Sequence, residues 1–440
     1  MKLLAACGSW MLACAMCAAE PDWTKLDSYA LDLLQRYLRI ESVNTPADTR
    51  AAAELLKGEI EKHGIEVRLY TSGPNGQTNL LARLPGRDRS KKPLLLLNHL
   101  DVVPVDRKAW TIDPFGGIVK DGWIWGRGAM DMKGIGVQHV AALVALKQAG
   151  ITPSRDIIML STADEETGGE YGVVWMINNH MPEIDAEYVL DEGGFGTRDI
   201  LAEGKLVFGI AVGEKQTAAL RIRARGTAAH GSQPIADNAN VILVRALSRV
   251  LDQPPPEKLH PVVEEMIRNI GPLAENKYTS AIRRNTIALT TLAAGVGSPP
   301  KTNVIPSTSE AVIDCRLLPG VNAEEFVSEI KAKINDPRVT VERVLEPNDP
   351  GPSPSRTPLF DAISRAIRKH HLEAIITPML VPHGTDSVKL RLKGITAYGL
   401  TPMVIDNAIS ASMHSDAERI PVAEFRKGIR IFYEVLKSEF

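Results

Sequence analysis

The sequence predicts an α/β protein: a mixed, mostly parallel sheet with helices on both faces, plus an inserted α+β domain. Three observations lead there. Short apolar runs of strand length alternate with segments of helical period, as parallel strands and their crossover helices do. Polar clusters follow several of these runs directly, and ligands in such sheets collect at the carboxyl ends of the strands. Beyond Gly213 the order becomes β-α-β-β-α-β, that of a ferredoxin-like split βαβ sandwich.

Met1 to Ala19 reads as a secretory signal. Lys2 is a minimal positive start, Leu3 to Ala15 is apolar but shorter than a bilayer span, and Cys17 and Ala19 place small residues before a cleavage point. The expectation is an exported protein, periplasmic or secreted. Leu4-Ala5-Ala6-Cys7 and Met11-Leu12-Ala13-Cys14 each approach a lipoprotein box, so lipid anchoring is the alternative. Cleavage after Ala19 would leave Cys315 alone, and no intramolecular disulfide is expected.

Residues 20–213 read as the first part of the larger domain. Leu26 to His63 has helical period, broken by a turn at Ser42 to Pro46. Ile65 to Tyr70 and Asn79 to Arg83 read as strands, and Pro93 to Leu97 as a strand buried on both faces. Trp123 to Trp125 is a short strand. Val137 to Gln148 is a helix with small and apolar residues on most faces, ended by Gly150. Asp156 to Thr162 is again a buried strand, Tyr171 to Asn179 a helix, and Glu187 to Leu190 a strand that stops at Asp191-Glu192.

Residues 214–347 are the expected insertion. Ala218 to Arg225 alternates Leu220, Ile222 and Ala224 with Arg221, Arg223 and Arg225, a strand with one buried face and an arginine stripe toward solvent. Helix Asn240 to Leu251 follows, then a Pro-rich stretch from Gln253 that reads as irregular. Strands Thr286 to Ala293 and Glu310 to Leu317, helix Ala323 to Ile334 and strand Val339 to Val344 complete it. Asn348 to Pro358 suits a hinge back to the larger domain, which residues 348–440 finish with helices Leu359 to His370 and Glu424 to Lys437.

With 440 residues, 44% hydrophobic and 24% charged, the composition is that of a globular protein of more than one core. The formal net charge of −2 excludes a global excess of positive charge, so a nucleic acid is not the expected partner. No stretch after the leader reaches the length of a membrane span.

The chemistry gathers at the strand ends. His99 follows the buried strand, with Asp101 two residues on, close enough to hold one ring nitrogen while the other faces a metal or a reacting proton. Asp131 follows the Gly126-x-Gly128 stretch, which lacks both the dinucleotide fingerprint and a Gly-Lys-Ser/Thr phosphate loop. Glu165-Glu166 and Asp191-Glu192 are adjacent acids at strand ends, whose mutual repulsion a cation would relieve. Mixed His and carboxylate ligands suit zinc. One shared acid with a His and a second acid on each side would hold two ions about 3.5–4 Å apart. No Gly-x-Ser-x-Gly elbow is present for a serine hydrolase.

The ordered series HLDVVP (His99–Pro104), GRGAMDMKG (Gly126–Gly134), DEETGG (Asp164–Gly169), LDEGG (Leu190–Gly194), AAHGSQP (Ala228–Pro234), NVIP (Asn303–Pro306), GTDS (Gly384–Ser387) and MHSDAERI (Met413–Ile420) resembles the M20 metallopeptidases. That family includes carboxypeptidases of the G and S types, aminoacylases, succinyl-diaminopimelate desuccinylases and carnosine dipeptidases. The resemblance implies two zinc ions per subunit, with Co2+ or Mn2+ as possible substitutes. It implies His99 on one ion, His414 on the other and Asp131 bridging them. Glu166 would complete the His414 site and Glu192 the His99 site, with Asp191 the alternative to Glu192. Glu165 would be the general base, Asp101 would orient His99, and the Asp131–Met132 peptide would be cis.

In the insertion, the resemblance implies that Arg316 pairs with a substrate carboxylate, while His230 and Asn303 reach the scissile carbonyl oxygen. In dimeric members these come from the neighbouring subunit. Thr385 and Ser387 would be substrate contacts; His383 beside them carries no assigned role. The implied enzyme cleaves an amide bond next to a free carboxylate, in a small peptide or an N-acyl amino acid, and forms a homodimer through the inserted domain. The competing reading is a non-catalytic protein of the same fold that binds an amino acid or peptide.

Overall fold

A computed structural model describes residues 20–440, so the leader expected at Met1–Ala19 lies outside the described residues. The centre is an eight-stranded sheet. Across it the strands run in the order Glu66–Thr71, Thr78–Leu84, Ile157–Thr162, Leu94–His99, Tyr188–Thr197, Thr396–Val404, Val207–Glu214, Ile375–Val381. Leu94–His99 is parallel to both neighbours, and Tyr188–Thr197 is parallel to Thr396–Val404. Antiparallel pairings enter on either side, through Thr78–Leu84 and Val207–Glu214. The fold is mixed α/β with a mostly parallel centre.

The sheet is buried on both faces because successive side chains of a strand point to opposite sides. Leu94 and Leu96 belong to one apolar core, and Leu95 and Leu97 to another. The larger core takes helices Trp23–Leu38, Lys133–Gln148 and Val422–Lys437; the smaller takes Val173–Ile184. Helix Lys133–Gln148 is buried from Lys133 to Leu146, which accounts for its small and apolar residues on every face.

The inserted sheet is antiparallel, in the order Thr286–Ala293, Thr308–Leu317, Gln216–Arg225, Val339–Leu345. Strands Thr308–Leu317 and Gln216–Arg225 lie in the middle, with helices Ala239–Leu251 and Ala323–Ile334 packed over Leu220, Ile222, Ile313 and Cys315. The arginine stripe is not simply solvated. Arg221 and Arg223 pair with Glu310 on the neighbouring strand at 3.3 and 2.8 Å.

Three elements differ from expectation. The stretch from Gln253 holds helices Pro261–Ile270 and Lys277–Ile282, and Val263, Met266, Ile270 and Ile282 join the core of the larger domain. The prolines at 254–256 hide the helical period that starts after Pro261. Strands Val207–Glu214 and Ile375–Val381 went unread because Gly209, Gly213 and Pro378 interrupt them; Pro378 is tolerated on an edge strand. Finally, Tyr188–Thr197 does not stop at Asp191 but runs through it, with a register shift against Thr396–Val404 between Asp191 and Phe195.

That irregularity lies where three strands crowd together. A Cβ on Gly399 would stand 1.9 Å from the Glu192 carbonyl oxygen, and one on Gly194 would stand 2.4 Å from the carbonyls of Gly209 and Gly399. Gly399→Ala should therefore destabilise the protein by about 1–3 kcal/mol or more in urea unfolding, and should weaken metal retention by moving Glu192. Unchanged stability and metal content would show that this crossing does not position Glu192.

Candidate active site

Five segments converge at the carboxyl ends of the central strands. His99 ends its strand, Asp131 precedes helix Lys133–Gln148, and Glu165 and Glu166 form a single turn after strand Ile157–Thr162. Glu192 sits in the irregular part of its strand. His414 follows helix Asn407–Ser410 with a left-handed backbone, φ +59°. The peptide between Asp131 and Met132 is cis.

Asp131 is the shared member. Its Oδ1 lies 3.0 Å from His99 Nε2 and its Oδ2 lies 2.9 Å from His414 Nε2. Glu192 Oε1 approaches His99 Nε2 at 3.8 Å, and Glu166 Oε2 approaches His414 Nε2 at 3.6 Å. Two trios result, His99–Asp131–Glu192 and Asp131–Glu166–His414, each with its ligand atoms within 4.8 Å of one another. Adjacent strand residues face opposite ways, and Asp191 accordingly turns from the trios to accept from the backbone and hydroxyl of Ser387 at 3.1 and 2.7 Å.

The electrostatics of the cluster ask for positive charge. Hydrogen bonds to Asp131 and Glu166 raise His414 to about 10. Burial would lower His99, but its bonds to Asp101 and Asp131 outweigh that and hold it well above the usual imidazole range. Burial, together with neighbouring carboxylates, pushes Glu165 and Glu192 well above the usual carboxylate range, and burial also raises Glu166. Glu166 Oε1 is buried without a hydrogen-bond partner. Nitrogen and oxygen donors in two sets that share one carboxylate fit a pair of divalent metal ions.

A further layer of side chains fixes these groups. His99 Nδ1 makes its closer contact, 2.9 Å, with the backbone carbonyl of Asp101; the Asp101 carboxylate lies at 3.5 Å. That carboxylate instead accepts the backbone N–H groups of Glu165 and Glu166, both at 3.2 Å, and the Asn44 amide at 2.8 Å. Asp101 thus aims the two glutamates more directly than it aims the histidine. Glu418 is fully buried and accepts the N–H groups of Gly128, Met130 and Asp131 at 3.0, 2.9 and 3.2 Å, while Arg127 pairs with its other oxygen. Sequence reasoning assigned no role to Asn44 or Glu418. Glu418 had a signal, four residues after His414 in the same motif; Asn44 had none.

A cavity of about 310 Å³ opens over the cluster, and Asp131, Glu165, Glu166, Glu192 and His414 line it. His383 and Gly384 also line it, whereas Thr385 and Ser387 do not. Both are buried, with Thr385 donating to Glu214 at 2.7 Å and Ser387 to Asp191. Both hydroxyls are therefore engaged within the protein. His230 and Asn303 stand outside the cavity. Both are exposed, His230 on a two-residue ladder that pairs Ala229–His230 with Val304–Ile305 and Asn303 just before it. Arg316 does not line the cavity either; it binds Asp314 at 2.7 and 3.0 Å and Thr217 at 2.8 Å, and its charge acts on His383.

The arrangement of a shared aspartate between two His–Glu sets agrees with the family relationship of the chain. Residues 95–438 match the family described as peptidase family M20/M25/M40. The chain belongs to this family. Rat (Rattus norvegicus) aminoacylase-1B is 28% identical over 93% of this chain and 95% of its own length. The probable carboxypeptidase S-like 2 of Dictyostelium discoideum is 27% identical over 82% and 74%. Among solved structures, the M20 metallo-carboxypeptidase Sso-CP2 of Sulfolobus solfataricus superposes with a TM-score of 0.73 at 20% identity, covering 93% of this chain and 98% of the other. Dinuclear metal binding is a property of the family, and this M20 member is a metal-dependent peptidase or amidohydrolase.

Asp101→Asn leaves one acceptor oxygen where two backbone N–H groups now bind. It should weaken metal affinity or activity by roughly 10–100-fold with little loss of secondary structure. Metal titration of chelator-treated protein reads this, and wild-type affinity and rate together would show that Asp101 does not position the glutamate turn.

Proposed function

We propose that the protein is a two-zinc hydrolase that cleaves an amide bond next to a free carboxylate, in a small peptide or an N-acyl amino acid. The observation that carries this is the pair of trios sharing Asp131 on the floor of a cavity that Glu165 also faces. One set, His99 and Glu192, and the other, His414 and Glu166, would hold the two ions. When bound, the metal pair supplies Lewis acidity for water and for the amide carbonyl.

The chain's own groups account for the rest. Glu165 is the one cavity glutamate outside both trios, so its carboxylate is left to move protons. It takes a proton from the attacking water and returns it to the leaving nitrogen. Asp101 holds the turn that carries it, and Glu418 holds the backbone that carries Asp131. Arg316, beside the cavity, is the group suited to a substrate carboxylate, since a guanidinium can bind both its oxygens.

Glu165→Gln should keep its metal, measured by atomic emission on purified protein. It should lose about 10²–10⁴-fold in turnover of any N-acyl amino acid or dipeptide that the wild type hydrolyses. A rate near wild type would remove Glu165 as the base.

The same reading includes a homodimer in which His230 and Asn303 of one copy serve the cleft of the other. Their exposure away from their own cavity supports this. So does the edge strand Thr286–Ala293 of the inserted sheet, where Leu289 and Leu292 are 42% and 57% exposed. Edge strands with exposed apolar side chains are ready to pair. A mixture of the separately inactive His230→Ala and Glu165→Gln proteins should regain about a quarter of wild-type activity if subunits exchange at random, since each mixed dimer then has one intact site. No recovery from exchanged, metal-loaded dimers would place His230 on its own cleft.

A further inference from the structure

The lining of the cavity is of two kinds. Carboxylates and His414 are one. Phe195, Tyr278, Ile405 and Met413 are among the apolar residues of the other, and among the described lining residues there is no lysine or arginine. Tyr278 and Phe195 meet edge to face, ring centres 5.6 Å apart at 83°. The Tyr278 hydroxyl points at the Met379 sulfur, 3.6 Å away, a weak acceptor, so the ring presents its apolar body to the cavity.

Tyr278 reaches this place by an unusual route. It lies in the stretch between helix Ala239–Leu251 and strand Thr286–Ala293 of the insertion, yet its helix is tied to the larger domain. Asn276 donates to the Ile200 carbonyl at 2.8 Å and the Ala274 N–H to the Leu201 carbonyl at 3.0 Å. Ile282, at the end of the same helix, is buried in the core of the larger domain. The wall therefore packs on the body that holds the metal-facing residues.

We infer that Tyr278 and Phe195 determine specificity by forming a fixed apolar wall that accepts an uncharged, apolar group beside the scissile amide. The inference rests on the hydrolase reading of the cleft. The group proposed for the substrate carboxylate, Arg316, lies outside this chamber, and beside Tyr278 and Phe195 the lining offers neither a lysine nor an arginine to bind one. An apolar group instead gains by leaving water, about fourfold in binding per methylene. The shared chemistry is an apolar chain, and its source is either an acyl group or the side chain of the amino acid.

Two substrate series separate those sources: N-acyl derivatives of one amino acid, from acetyl to decanoyl, and N-acetyl amino acids of increasing apolar side chain. For one series, wild-type kcat/KM should rise about fourfold per methylene until the chamber is full. Tyr278→Ala should move the maximum to longer groups and Tyr278→Trp to shorter ones, with ratios of long to short changing by about tenfold. Tyr278→Phe should keep the wild-type profile. Met413→Trp, on a 37% exposed residue of the chamber, should cut off the longest groups if the Tyr278 variants fail to fold. Unchanged profiles in metal-replete, folded variants, or a wild-type preference for charged groups, overturn the inference. If the wild type hydrolyses no amide, the hydrolase reading fails separately. Calorimetric binding of acetate through decanoate to the metal-loaded protein then reads the chamber alone. Affinity that rises with chain length in wild type and flattens in Tyr278→Ala supports the wall; affinity independent of length overturns it.

Discussion

The rest of this structure is organised around the two hydrogen bonds of Asp131, one from each oxygen to a different imidazole. His99 comes from the middle of the sheet and His414 from a loop near the chain's end, 283 residues beyond Asp131. A carboxylate that serves both must be placed within tenths of an ångström, and the chain invests heavily in placing it. Glu418 accepts three N–H groups of its backbone loop, and Arg127 neutralises Glu418 inside the protein. Breaking such a buried pair leaves an uncompensated charge, which is why the loop has little freedom to relax.

The second support is the Asp101 carboxylate. It joins the end of one strand to the turn after its neighbour, so the histidine and the two glutamates move as one unit. Asn44 extends that unit, donating to Asp101 and also to Asp164 at 3.0 Å and Thr167 at 3.1 Å. A polar network of this kind is stable inside a protein only when its members are paired, and here nearly all of them are. The unpaired exception is Glu166 Oε1, in the trio that faces the cavity.

Two apolar cores cover the faces of the sheet that carries the site, and a third lies within the insertion. Helices Pro261–Ile270 and Lys277–Ile282 cross that division. They leave the insertion in sequence and return to the larger core in space, carrying Tyr278 to the cavity. Domain membership by sequence range and by packing are different things in this chain.

Much of the fold could be read from period and composition. Buried runs such as Leu94 to Leu97 have the length and composition of strands with two covered faces, and the alternation around Leu220 and Ile222 is that of a strand with one buried face. The residues of the two trios stood in ordered motifs, and the resemblance they carry named His99, Asp131, Glu166, Glu192 and His414. What sequence could not decide was direction. Asp191 and Glu192 are equivalent as neighbours in a motif; alternation puts them on opposite faces, but only the packing of the strand decides which of them faces His99 and which faces Ser387. Thr385 and Ser387 looked like substrate contacts because they are polar and lie in a motif, yet burial commits their hydroxyls to Glu214 and Asp191. Asn44 and the wall at Tyr278 left no local signal at all, because their roles come from contacts between segments far apart in the chain. Local pattern determines which residues face a core; long-range packing alone determines which of them face each other.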